Sequence, residues 1–169
     1  MSVEARVEPY DGKPPSLNWR WDPETDILSG SFKVGARTGG LNGSIELTGE
    51  DGAIAVLDVE HGVIRGLDVV VWPEVASQPG LAPPRPTRTG RVVVAKRSPK
   101  ASVDSLEVDA ALAAATNADE SVFHLRIGSL EPAEVIQVAD HFLVELDGQS
   151  RLAGIWLTHV PPFPAGGED

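Results

Sequence analysis

Short runs rich in valine and isoleucine, separated by glycine and acidic turn signals, fill residues 27 to 72, and this punctuation limits the fold more than any other feature. The runs are 27–34 (ILSGSFKV), 44–48 (SIELT), 53–59 (AIAVLDV) and 63–72 (VIRGLDVVVW). Each is too short for a helix and rich in branched side chains that suit a pleated surface, so together they predict an antiparallel meander. Glu50-Asp51-Gly52 and Glu60-His61-Gly62 put glycine where a tight turn needs positive φ. The same texture returns at 122–127, 134–138, 141–146 and 151–160. Between the two groups lie Pro73, Pro79, Pro83, Pro84 and Pro86, a density that forbids a central strand and marks a linker. Val92 to Ala95 predicts one more strand. Ser102 to Thr116 is alanine-rich, with Asp104 and Glu107 suited to a first turn and Asn117 to a stop, so it predicts one short helix. The tail PPFPAGGED is expected to be mobile.

The two strand groups resemble each other. Superposing Gly66 on Gly154 pairs Ile54 with Phe142, Val56 with Val144, Ile64 with Leu152, Leu67 with Ile155 and Val69 with Leu157. Upstream, DPETDILSG lies beside NADESVFHL once the first loop is allowed a different length. The expected fold is therefore mainly β: two pseudo-repeated four-strand antiparallel meanders, packed as a sandwich or barrel, with one short helix in the connection. The chain divides accordingly into 1–76, a first β repeat with an N-terminal extension; 77–101, a proline-rich linker and basic strand; and 102–169, the helix, a second β repeat and a flexible tail.

Leu146-Asp147-Gly148, Arg151-Leu152-Ala153-Gly154-Ile155 and the opening Trp21-Asp22-Pro23-Glu24-Thr25-Asp26 resemble the small bacterial domain-of-unknown-function family numbered 2283, as two divergent copies in tandem. The likeness covers about 90 of 169 residues and is carried mostly by turn chemistry. It implies a β fold and no particular activity, and it departs from the family at the linker, the basic segment and the helix.

At 169 residues and 17.9 kDa the chain can bury a real core but not house an elaborate multidomain enzyme. No apolar run reaches the roughly 18 residues a membrane span needs, and the start MSVEARVEP lacks a basic, then apolar, leader. A cytoplasmic protein without membrane contact is the expectation. Ten arginines against four lysines hint at a GC-rich bacterial genome. With no cysteine, disulfides, thiolate nucleophiles and cysteine-based metal sites are excluded. The formal charge of −11 argues against nucleic acid as a partner. The bases nonetheless gather: Arg85, Arg88, Arg91, Lys96, Arg97 and Lys100 lie together with no acid among them and are expected to pair with acids elsewhere on the protein or on a partner.

Candidate chemistry is sparse. Asp22, Glu24 and Asp26 read as a turn whose side chains cap backbone NH groups, since their spacing does not fit a calcium loop. His124, His141 and His159 stand on different strands without ligand spacing, so no metal is expected. Glu145, between Val144 and Leu146, is expected to face solvent or line a second surface of the sheet. Four of nine aromatic residues are tryptophan, and Trp156 falls out of phase with Ile155 and Leu157, so one face beside it must be covered or bind something. Trp19, Trp21, Trp72 and Trp156, with His124 and Glu145, are the candidate lining of an apolar ligand pocket. No phosphate loop, nucleophile elbow, zinc-helix motif or dinucleotide fingerprint is present, and no cofactor is expected. Two functions follow: a non-catalytic interaction or ligand-binding module, expected as a homo-oligomer or with a protein or apolar small-molecule partner; or a small β-barrel enzyme, of cyclase or isomerase type, that positions an apolar substrate in a tryptophan-lined cavity.

Overall fold

The computed structural model describes residues 2–95 and 103–164. These residues form fourteen strands and no helix: β1 Ala5–Pro9, β2 Arg20–Trp21, β3 Leu28–Ser31, β4 Asn42–Thr48, β5 Ile54–Glu60, β6 Val63–Val71, β7 Val75–Ser77, β8 Arg88–Val94, β9 Val103–Asp109, β10 Leu112–Thr116, β11 Phe123–Ile127, β12 Pro132–Ala139, β13 Phe142–Asp147 and β14 Leu152–Leu157. They join one mixed sheet, curled into a half-barrel, in the order β7-β10-β11-β14-β13-β12-β8-β6-β5-β4-β9. Strand β1 adds to β8, and β3 adds to β6 and carries β2.

The helix expected over 102–116 is corrected to two strands, with Ser102 itself outside the described residues. Burial alternates along β10, where Leu112, Ala114 and Thr116 are buried and Ala113 is exposed, and Val108 is buried between exposed Glu107 and Asp109. Alanine's helix preference is worth less than 1 kcal/mol per residue relative to ordinary residues. Two long ladders outweigh it: β9 runs parallel to β4 from Asn42 beside Val103 to Thr48 beside Asp109, and β10 pairs antiparallel with β11.

The expected pair of four-strand antiparallel meanders is likewise corrected: in each set the first strand pairs with the last, β3 with β6 and β11 with β14. Strands β4-β5-β6 and β12-β13-β14 are antiparallel runs, but the outer edge of β4 takes β9 in parallel, and that of β12 takes β8 in parallel. Strand β8 also meets β6 at Val63 and Val93, so it is common to both stretches. The physical reason is that an open strand edge presents unpaired NH and CO groups, and here the connecting segments cover those edges within the chain. The inward faces build one core, with Ile45, Leu57, Leu67, Leu125, Val144 and Ile155 almost wholly shielded from solvent.

Residues 78–87 carry four of the five linker prolines and belong to no strand, while Val75–Ser77, between Pro73 and Pro79, forms the short edge strand β7. Their course is set by topology. They leave β7 at one side of the sheet and must reach β8 six strand positions away, with both strands pointing the same way as β10 and β12. The core fills the inner face, which leaves the outer face as the side open to this connection, called the strap below. The segment opens with a turn in which Leu81 N donates to the Gln78 carbonyl at 2.8 Å. Thr87 anchors its far end through paired hydrogen bonds with Val135, and Gln78 anchors its start on the Thr116 carbonyl.

Candidate functional site

Two aromatic sites stand out, one on the outer face apart from the main core and one at the margin of the core itself. The first is built on β11, β13 and β14. There His124 on β11 stands opposite Trp156 on β14, while Gly154 on β14 stands opposite both Arg126 on β11 and Glu145 on β13. The His124 ring lies flat on the Trp156 indole, with centroids 4.0 Å apart and planes 9° from parallel. Glu145 Oε1 is 2.8 Å from His124 Nε2, and its Oε2 accepts a 3.0 Å hydrogen bond from Trp156 Nε1. Gly154 makes the space: a Cβ there would run into Glu145 Oε1 and press on the Leu125 carbonyl and His124 Nε2. Burial by itself would raise the Glu145 pKa. The hydrogen bonds from His124 and Trp156, with the charges of His124 and Arg126, outweigh it and hold the carboxyl below its usual range.

Glu145 is only 4% exposed, so the solvent-facing expectation is corrected; the residue does line the second surface of the sheet, but that surface is covered. Trp156 and Leu143 are buried there as well, apart from the main core. The out-of-phase tryptophan thus lies on a covered face, and Leu81, Pro83, Pro84 and Pro86 of the connection between β7 and β8 are half-buried. The result is a largely covered cluster in which both Glu145 oxygens are engaged.

The second site is open. Trp21 on β2 and Trp72 just past β6 meet at 5.7 Å, and both contact Phe123, at 6.4 and 5.1 Å respectively. Trp21 and Trp72 are half-buried, Val71 is 42% exposed, and the three rings form a platform. Trp72 Nε1 donates to the Asp26 carbonyl at 3.3 Å, which fixes the platform to the Asp22–Asp26 turn. That turn is capped as expected, with Asp22 accepting the Glu24 NH at 2.9 Å. Trp21 Nε1 donates to the Pro161 carbonyl at 2.8 Å, and Phe163 sets its ring edge-on to Trp21 at 5.1 Å.

A groove of about 470 Å³ starts beside Trp21, lined by Arg20, Asp22, Ile27, Ser29, Asp68 and Val70. A neighbouring groove of about 370 Å³ shares Arg20, Ser29 and Asp68 and adds Ser31 and Asp58. The two continue along the outer face of β3 and β6. Trp19 belongs to neither site: it is buried, donates Nε1 to the His141 carbonyl at 2.9 Å, and packs edge-on to Phe142. Its ring occupies the space over Gly30, where a Cβ would come within 2.6 Å of it. The four tryptophans therefore divide among three places rather than lining one pocket, with His124 and Glu145 joining Trp156 alone.

The His141 and His159 rings lie 4.1 Å apart and tilted by 33°, and burial together with the His159 charge lowers the His141 pKa. Among the described residues no three His, Asp or Glu side chains gather as metal ligands. Of the basic cluster, Arg88 pairs with Glu134 at 3.0 Å, and Arg91 lies over the Tyr10 ring and donates to the Val34 carbonyl. Lys96, Arg97 and Lys100 fall outside the described residues. Among those described, no helix is long and apolar enough to cross a membrane. No family model matches the chain, and no curated protein is significantly similar to it. Sequence reasoning missed Phe123, Phe163 and Gly154. An aromatic residue flanked by prolines was the available signal for Phe163; the roles of the other two depend on strand register, which sequence alone does not give.

Proposed function

We propose that the protein is a non-catalytic binding module whose recognition surface is the Trp21–Trp72–Phe123 platform. What carries this is the half-exposed state of two large indoles beside exposed Val71 and Phe163, since a chain with so few aromatic residues gains most by burying them. The enzyme alternative would rest on His124 and Glu145. It ranks second because both Glu145 oxygens are already engaged and that face is covered.

The test uses a neutral apolar dye, Nile red, with the full chain. Dye fluorescence should rise on binding, and Trp72→Ala should abolish most of the rise while leaving the thermal midpoint close to that of the unaltered chain. Unchanged dye binding in Trp72→Ala would place the recognition surface elsewhere.

A further inference from the structure

The turn between β12 and β13 and the segment that follows β14 each bring a histidine to one place on the surface. His141 lies in the first and His159 in the second, with ring centroids 4.1 Å apart. Both take the left-handed backbone region, at φ 66° and 54°, which histidine enters more readily than most residues. Main-chain bonds fix the two positions. The His141 carbonyl accepts the Thr158 NH at 3.0 Å and Trp19 Nε1 at 2.9 Å, and the Val160 NH donates to the Ser121 carbonyl at 3.0 Å. The rings are therefore held as neighbours by backbone bonds, while their own nitrogens are left unspent. Among the described residues no ring nitrogen of His141 has a hydrogen-bond partner, and His159 Nδ1 is 3.5 Å from Thr158 Oγ1, too far for a useful bond. The other two histidines differ: His61 Nδ1 is 2.9 Å from the Gly39 carbonyl, and His124 Nε2 is 2.8 Å from Glu145.

We infer that His141 and His159 form a two-imidazole site for a divalent transition metal ion of the zinc class, with water in the remaining coordination positions. Neutral imidazole is the commonest protein ligand for such ions, whereas magnesium and calcium take oxygen donors. The spacing is close to what a shared ion needs. Zinc–nitrogen bonds of about 2.0 Å set two imidazole centroids about 4.5 Å apart at a right angle and about 5 Å apart at the tetrahedral angle. His159 is exposed and His141 half-buried, so rotation of the outer side chain supplies the difference and solvent reaches the pair. The Asp140 carboxylate, next to His141 in the chain, acts on that ring through its charge and favours a cation there. Because the backbone already places both ligands, the second imidazole binds at a high effective concentration. An ion at this point ties the β12–β13 turn to the segment that leads to Pro161, and by binding only the folded chain it stabilises it.

The experiment titrates the EDTA-treated full chain with zinc chloride near neutral pH, following histidine ring and tryptophan indole NH signals by NMR and then the thermal midpoint. His141 and His159 should move together and saturate at one zinc per chain. The Trp19 indole NH, bonded to the His141 carbonyl, should shift with them, while His61, His124 and Trp156 stay in place. Affinity should fall at least about tenfold in His159→Ala, and equally in His141→Asn, which tolerates positive φ. The Trp156 signal in its bonded position shows that each variant is folded. Zinc should raise the midpoint of the unaltered chain and of neither variant, and magnesium should raise none. Histidine signals that stay still with zinc at about 1 mM overturn the inference. Unchanged affinity in His159→Ala does the same, since each imidazole would then act alone. If zinc halves the diffusion rate or otherwise pairs the chains, the ion lies between two copies and the site within one chain is overturned.

Discussion

Ser29 and His124 stand at corresponding places on the outer side of the sheet, yet one borders an open groove and the other lies in a closed cluster. Ser29 faces Asp68 across the β3–β6 ladder, with Ser31 opposite Gly66 and Asp58 across from the same glycine. His124 faces Trp156 across β11–β14, with Arg126 opposite Gly154 and Glu145 across from it. The backbone register is alike; the side chains differ. Around Gly154 an imidazole, an indole and a carboxylate fill one another's space and complete one another's hydrogen bonds, and they lie largely covered. Around Gly66 two serines and two aspartates are too small to do so, and a groove remains. Closure on a sheet face therefore depends on side-chain volume, not on strand pairing.

The strongest way to break this comparison is to overfill the closed side. Gly154→Ala forces a methyl group against Glu145 and the Leu125 carbonyl, and it should lower the unfolding free energy by about 3 kcal/mol in denaturant titration. A loss below about 1 kcal/mol would mean the cluster yields easily, and the contrast with the groove would be lost. Removing the charge comes next. Glu145→Ala strands the His124 and Trp156 donors and should cost about 3 kcal/mol, whereas Asp68→Ala in the open groove should stay within about 0.5 kcal/mol.

Acid titration sharpens the same contrast. The native Glu145 pKa lies below its unfolded value of 4.5, so the associated stability is fully present above that pH and is lost as pH falls through the lower native value. Unfolding midpoints followed from pH 6 down to pH 3 should therefore flatten in Glu145→Gln, and an unchanged slope would remove Glu145 from the account. The smallest effect belongs to His141. Its native pKa lies below 6.5, so its contribution is present above that value and declines as pH falls below it. Because His159 is part of the cause, His159→Ala should move the His141 pKa upward by NMR with little change in stability.

Much of the architecture is legible in residue order because alternation and turn chemistry are local. The short branched runs became β3 to β6 and β11 to β14, and His61 and Gly62 both turn at positive φ between β5 and β6. Trp156 also announced, by falling out of phase, that a second face was covered. What could not be read depends on partners distant in sequence. The alanine run at 111–116 has a local preference for helix and becomes a strand only because β11 and β7 flank it. Glu145 sits between two apolar residues as a surface residue would, and nothing local reveals that its face is covered. The platform escaped for a similar reason: Trp21, Trp72, Phe123 and Phe163 come from four separate stretches of chain.

The parallel seam between β4 and β9 joins positions 61 apart, from Asn42 with Val103 to Thr48 with Asp109. During synthesis on the ribosome, β4 must wait with its outer edge bare until that later stretch emerges, at about 5–20 residues per second. Nascent chains are thus open to edge-on association for several seconds, and the search for so remote a mate should make refolding slow for a protein of this size.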